Sequence, residues 1–221
     1  MRPSLRKFAL TTHITLSVGW IGAVVAYLVL VVAAMTSQDA QTLRGAWIAM
    51  GLIGWNLIVP LALASLATGL VMSLGTPWGL FRHYWVLVSL GLTIFATAVL
   101  LQHMQTVSVF AGMAADTDSA AVGALRGGLR GELLHAGVGL LVLLVIEVLN
   151  VYKPKGMTPY GRRKASQVAL PSRFSDDARS GQTQGSITGR PRWVLVVGFH
   201  ALALALLFVA MHLTGGGLPS H

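Results

Sequence analysis

Histidine is the residue type in this chain that could most readily do chemistry. The 221 residues include seven histidines and no cysteine. Imidazole ligates haem iron, copper or zinc, and it also exchanges protons near neutral pH. The lack of cysteine excludes disulfides, thiolate metal sites, iron–sulfur clusters and cysteine nucleophiles. The functional question is therefore which histidines the fold brings together.

The composition indicates where those histidines must be positioned. The chain is 54% hydrophobic and 10% charged, whereas an ordinary soluble domain is about 25% charged. So few charges could not cover the surface of a soluble domain, and such high hydrophobicity excludes disorder over most of the length. The composition therefore predicts an integral membrane protein.

Uncharged apolar runs of about 20 residues mark candidate spanning helices, and none shows the alternation of a membrane barrel. Five apolar runs occur, near residues 8–35, 46–74, 84–110, 133–151 and 193–213, and the fourth contains one acid, Glu147. The first is long and carries His13, Trp20 and Tyr27, which favours a span over a signal peptide. The predicted fold is an all-α integral membrane protein, with a four-helix transmembrane bundle plus a fifth transmembrane helix.

The same pattern divides the chain into three parts. Residues 1–164 form the four-helix membrane unit, residues 165–192 a flexible basic cytoplasmic loop, and residues 193–221 the fifth helix with a short outer tail. The loop near residues 111–131 is expected to be partly helical and otherwise mobile.

The placement of basic residues predicts the orientation. Of the 16 Lys and Arg residues, only Arg44, Arg126 and Arg130 fall opposite the N-terminus. We therefore expect a bacterial plasma (inner) membrane protein with a cytoplasmic N-terminus and the C-terminus outside. The net charge of +9 predicts contact with the lipid bilayer and its anionic headgroups at the basic loop. No nucleic-acid partner is expected, since zinc spacing and a recognition-helix pattern are absent. Redox partner and oligomeric state are not predicted.

His103 and His135 form the most suggestive pair. They fall at one depth on consecutive antiparallel helices, a geometry suited to axial ligation of haem b in a four-helix bundle. The same imidazoles could hold copper or zinc. The alternative is structural, with each histidine bonding a neighbouring helix or the headgroup zone.

His13 is a third possible haem or metal ligand. It starts a stripe at helical spacing that is expected to face the bundle, formed by His13, Ser17, Trp20, Val24 and Tyr27. His83 could be a second ligand at this depth. We favour instead an interfacial aromatic belt around it, formed by Trp78, Phe81, Tyr84 and Trp85.

Glu147 is the only acid inside a predicted span. It is a possible proton relay, or a partner that orients a ligating histidine. The alternative is a structural ion pair near the interface. His13 and Arg82 are its expected neighbours. In the second span Pro60 predicts a kink, and a strip of small residues predicts close packing: Ala62, Ser65, Thr68 and Gly69.

Four segments together resemble a family of uncharacterised bacterial multi-spanning integral membrane proteins. They are HITLSVGWIG, GTPWGLFRHYWVLV, LLQHMQTV and VLNVYKPKGMTPYGRRK, within residues 5–164. This resemblance implies the fold and no activity. The chain also distantly resembles HemJ-type protoporphyrinogen oxidases and CopD-type copper-resistance proteins, through His13, Trp20 and Gly22. The HemJ-type likeness implies haem b, with His13 as a ligand.

No catalytic signature occurs in the sequence, so whether the protein is an enzyme is left open. Three functions are considered. The first is haem b binding through intramembrane histidines, for electron transfer or haem-linked redox chemistry. The second is a copper or small-solute transport component that uses the same histidines and Glu147. The third is a non-enzymatic structural membrane protein.

Overall fold

The computed structural model describes residues 2–75, 79–116 and 120–169. These residues form six α-helices and one π-helical turn, Gly54–Ile58. The helices are α1 (Pro3–Thr36), α2 (Ala40–Ile53), α3 (Val59–Gly75), α4 (Tyr84–Ala115), α5 (Ala121–Tyr152) and α6 (Pro159–Ala169). The predicted fifth span, near 193–213, lies outside the described residues together with His200, His212 and His221.

Four helical segments are long and apolar enough to cross a membrane: Pro3–Thr36, Ala40–Gly75, Tyr84–Ala115 and Ala121–Tyr152. The first four predicted spans are thus confirmed, but every helix is longer than predicted or begins earlier. At 1.5 Å per residue, the 34 residues of α1 measure about 51 Å, against about 30 Å for the bilayer core. The predicted loop 111–131 is consequently mostly helix, because α4 and α5 continue beyond their apolar runs.

The second span contains a π-helical turn directly before Pro60. The Val59 N–H bonds back to the carbonyl of Gly54, five residues earlier. Proline has no N–H to donate, so the sequence predicts an interruption in the helical backbone hydrogen bonds here. The structure accommodates it as a π turn, an insertion common at functional sites. The turn directs the Trp55 indole N–H to the Ser108 hydroxyl on α4 at 2.8 Å.

The α1 stripe faces the bundle interior, as predicted. Trp20, Val24 and Tyr27 are buried, and the same face continues to fully buried Val31. The small-residue strip of α3 packs against it, with Ala62 fully buried. Close approach of α1 and α3 lets polar side chains pair between them, and this pairing positions part of the site below.

Arginines at the end of the bundle opposite the N-terminus bond to helix C-termini. The Arg126 guanidinium donates to the carbonyls of Ser37 and Gln38 at 2.9 and 3.0 Å, just after α1 ends. Arg44 donates to the carbonyl of Asp116, where α4 ends. These contacts pair the carbonyl oxygens of the residues that directly follow the two helices. Arg44 and Arg126 therefore have a structural role at this end.

At the N-terminal end, the segment before α4 docks on the segment after α5. The Thr158 N–H donates to the Arg82 carbonyl at 2.9 Å, and His83 pairs with Met157 as an isolated antiparallel bridge. The Thr158 hydroxyl accepts from the Gly161 N–H at 3.1 Å, which caps α6. Gly161 is required here, since a Cβ would lie 2.4 Å from the Arg82 carbonyl oxygen. Two of the four segments on which the resemblance rests are thus in contact.

The predicted aromatic belt is only partly present. Phe81 is exposed, but Trp85 is buried and cannot reach headgroups. Trp78 lies outside the described residues. His83 is half-buried against the α5 exit, and burial, followed by the neighbouring Arg82 charge, lowers its pKa. The belt prediction is therefore wrong for Trp85, because this side chain turns into the bundle.

Candidate functional site

Three helices contribute polar side chains to one buried cluster, which we call the Glu132 cluster. It consists of Tyr27 from α1, His103 from α4, and Glu132 and His135 from α5. Tyr27 is 4% exposed and Glu132 is 3% exposed. Buried ionisable groups between membrane helices are costly and commonly functional.

Glu132 was missed by the sequence interpretation, which placed it outside the fourth span and made Glu147 the only intramembrane acid. The apolar run begins at Leu133, yet α5 begins at Ala121. Glu132 is therefore about 17 Å along a helix of about 48 Å. A signal was present, since residues three apart share a helix face, and Glu132 and His135 have that spacing.

One carboxyl oxygen joins the cluster. The Tyr27 hydroxyl donates to Glu132 Oε1 at 2.5 Å. His103 Nε2 lies 2.8 Å from the same oxygen. Since Oε1 accepts from tyrosine, the simplest assignment puts a proton on His103 Nε2, which donates as well. A phenol, a carboxyl and an imidazole are thus connected in one hydrogen-bonded chain.

His103 and His135 meet as predicted, but their rings stack face to face. The ring centroids are 3.5 Å apart and the planes differ by 9°. Two axial ligands must direct ring nitrogens at one iron from opposite faces of a haem, and stacked rings leave no room for a macrocycle. The arrangement therefore does not fit a haem held between this pair. Haem b through these histidines stays a prediction that would require the rings to separate.

The cavity beside the cluster, which we call the small cavity, is also too small for a large cofactor. It measures about 90 Å³ and is lined mainly by apolar side chains around His103, Glu132 and His135. Cofactor sites usually measure about 300–1,000 Å³. Among the described residues, no group of three or more His, Cys, Asp or Glu side chains is arranged to hold a metal ion. Copper binding therefore has no preformed three-ligand site in this part of the chain.

A second cavity lies toward the N-terminal end of the bundle, and we call it the large cavity. It measures about 670 Å³, and its wall includes His13 and Glu147. This volume is typical of small-molecule sites. The structure thus places the two remaining candidate residues on the wall of one cavity, separate from His103 and His135.

His13 is held by α3. Its Nδ1 lies 3.0 Å from the Thr68 hydroxyl oxygen, and the Thr68 hydroxyl lies 2.8 Å from the Ala64 carbonyl. The Thr68 hydroxyl has one proton, which it donates to the Ala64 carbonyl. It can therefore only accept a hydrogen bond from His13, which places the ring proton on Nδ1. Neutral His13 then carries its lone pair on Nε2. Gly69 permits this approach, because a Cβ there would lie 3.1 Å from the ring.

Glu147 forms no ion pair with His13 or Arg82 within the described residues, where the pair of His103 and Glu132 is the one found. Its side chain is half-buried on the wall of the large cavity. The interpretation as a structural ion pair therefore has no support among these contacts. A carboxyl group facing a cavity remains suited to binding a ligand or relaying a proton.

The two cavities share part of their walls. Both are lined by Trp20 and Leu143, and both of these side chains are buried. Trp20 and Leu143 thus form an apolar layer between the large cavity and the Glu132 cluster. The bundle thus contains a roomy cavity, an apolar layer and then a buried cluster of ionisable side chains, in that order from the N-terminal end.

Comparison with known proteins gives no relative from which a function could be transferred. No family model, no curated protein and no solved structure matches the chain. The resemblances of the sequence segments therefore stay predictions.

Proposed function

We propose that the chain is a small-solute transport component in which the Glu132 cluster takes up and releases a proton. The observation that carries the proposal is the shared hydrogen bonding of Glu132 Oε1 by Tyr27 and His103 in a buried site. Chains of Asp, Glu and His inside membrane bundles are typical of proton relays in pumps and transporters.

The position of the cluster supports this function. Its members come from α1, α4 and α5, so a proton that changes their hydrogen bonds would change contacts between three spans. The layer of Trp20 and Leu143 separates the cluster from the large cavity. An apolar layer of this kind limits the passage of water and solute between the large cavity and the cluster.

Reconstituted protein provides the test. Purified protein in liposomes, with a pH-sensitive dye inside, is expected to give potential-driven proton uptake above that of protein-free liposomes. Glu132→Gln keeps the side-chain volume and removes the acid, and it should reduce this uptake by about a hundredfold or more, the usual scale for a positioned proton-transfer group. Asp116→Asn is the matched control, since it also removes one carboxyl group but at an exposed site.

Equal proton uptake by the wild type and Glu132→Gln would contradict the proposal. If Glu132→Gln then lowered only thermal stability, the cluster would be structural, which is the third function considered above. The haem prediction has a separate readout: purified protein should show a Soret band that is lost in His103→Ala or His135→Ala. Copper binding is checked by elemental analysis of the same protein.

The membrane and its sidedness are part of the proposal. Arg82 and Thr158 are in contact, so the segment before α4 and the α6 end belong to one end of the bundle. The N-terminal end carries most of the basic residues, which favours the cytoplasmic face of a bacterial plasma membrane. Residues 193–213 would then supply a fifth span and an outer C-terminus. A periplasm-only reporter fused after Arg163 should be inactive; an active one would contradict this orientation.

A further inference from the structure

Three hydroxyl groups on the polar wall of the large cavity already donate their protons to backbone carbonyls. The Ser73 hydroxyl donates to the Leu70 carbonyl at 2.8 Å and the Thr93 hydroxyl to the Ser89 carbonyl at 2.8 Å. The Ser89 hydroxyl donates to the Val86 carbonyl at 3.2 Å. All three residues line the cavity. Because a hydroxyl donates one hydrogen bond, these groups can only accept hydrogen bonds from a ligand.

His13 and Glu147 add acceptors to the same wall. The Nδ1–H of His13 is used by Thr68, so the neutral ring has an acceptor, Nε2, remaining. Glu147 contributes carboxyl oxygens that no described residue pairs. Asn150 and the bonded pair of Ser17 and Ser65 also line the cavity and can donate. The Glu147 carboxyl group and the three hydroxyl groups above nevertheless favour a ligand that brings hydrogen-bond donors.

The apolar part of the wall fits a ring or chain attached to such a donor. Trp20 and Trp85 line the cavity and are buried, 4% and 9% exposed. Indole rings attract cations as well as apolar groups. Arg6 and Lys153 also line the cavity. Arg6 is seven residues closer to its helix end than His13, and Lys153 is six residues beyond Glu147, which is about 9–10 Å along the axis. Long basic side chains near helix ends extend toward headgroups.

We infer that the large cavity is a binding site for a protonated amine with an apolar or aromatic body, with its N–H groups on Glu147 and His13. The transport of such a solute rests on the proposed function, whereas its binding does not. Equilibrium binding is therefore the test of this inference. The proton-uptake assay on Glu132 tests the proposed function independently of the binding result.

The probes are a matched pair, 2-(1-naphthyl)ethylamine and 1-naphthylacetate, which share a ring and carry opposite charges. Isothermal titration of detergent-solubilised protein, with protein-free micelles subtracted, should show saturable binding of the amine that is tighter than binding of the acid. Glu147→Gln should weaken amine binding by about tenfold, because a charge-assisted bond is replaced by a neutral one. Asp116→Asn should leave binding unchanged.

A second variant guards against a folding defect. Thr93→Val keeps the shape of the side chain and removes one acceptor, and it should weaken amine binding about three- to tenfold, the range of a net hydrogen bond. The inference is overturned if the acid binds as tightly as the amine, if neither probe saturates, or if folded Glu147→Gln binds the amine like the wild type. Tighter binding of the acid that is lost in Arg6→Gln would instead assign the cavity to an anionic amphiphile.

Discussion

Removal of the Tyr27 hydroxyl measures the strength of the Glu132 cluster. Tyr27→Phe keeps the buried ring and deletes the donor that lies 2.5 Å from Glu132 Oε1. Hydrogen bonds between membrane helices average about 0.6 kcal/mol, with a maximum near 1.7 kcal/mol. Bonds to charged groups contribute about 1.5–3 kcal/mol. The two ranges overlap near 1.5 kcal/mol, which is the loss in the free energy of unfolding that we expect.

The assay is reversible unfolding in mixed micelles of increasing denaturing-detergent content, followed by tryptophan fluorescence and helical circular dichroism. Tyr160→Phe is the matched control, because Tyr160 is 55% exposed on α6 and surface changes usually stay within about 0.5 kcal/mol. A double-mutant cycle then isolates the bond. In a Glu132→Leu background, Tyr27→Phe should cost almost nothing, because the acceptor has already been removed.

Two results would show that the hydrogen bond from Tyr27 to Glu132 does not stabilise the bundle. One is a loss below about 0.5 kcal/mol for Tyr27→Phe in the otherwise wild-type chain, which is the size of a surface effect. The other is an equal loss in the Glu132→Leu background, which would assign the effect to the ring environment and not to the carboxyl group.

Three further predictions concern packing and capping. Gly128→Ala places a Cβ 2.9 Å from the Phe110 ring and should destabilise the protein by about 1 kcal/mol. The free-energy cost of overpacking is larger here than the gain from the higher helix propensity of alanine. Gly127→Ala, with open space around it, should be neutral or stabilising in the same unfolding assay, and equal effects would contradict the packing. Asp39→Ala should destabilise the protein most above about pH 4 and progressively less below it, because bonds from the Thr42 side chain and backbone and the Gln41 backbone hold the Asp39 pKa below its usual range. The stability that the carboxylate adds is present above the unfolded pKa and is lost as the pH falls through the folded pKa, so a constant difference across acid titration would contradict it. Thr158→Val removes the α6 cap and should speed hydrogen exchange in residues 159–169, whereas unchanged exchange would show that the cap is dispensable.

The sequence was sufficient to predict the four described spans and the relative depth of His103 and His135. Apolar run length determines where a helix can cross, and helical periodicity determines which face of α1 is buried, so the Tyr27 stripe was predictable. Run length and periodicity are both properties of a single helix, so the sequence of that helix is sufficient to detect them. They are strong because burial of a whole helix face involves many residues at once.

Contacts across the bundle could not be predicted in the same way. Glu132 was missed because the length of an apolar run underestimates the length of a helix whose polar end continues inside the protein. The partners of Glu147 were predicted wrongly because depth alone does not determine the rotation of one helix against another. The same rotation determines whether His103 and His135 stack on each other or lie apart on either side of a cofactor.

The proposed function requires that Glu132 exchanges a proton inside the bundle. Infrared spectroscopy measures this directly through the carbonyl stretch of a protonated carboxyl group, recorded while the pH of the purified protein is changed. We expect a pH-dependent carboxyl band in the wild type that is missing in Glu132→Gln and retained in Asp116→Asn. Identical titration spectra for the wild type and Glu132→Gln would contradict it.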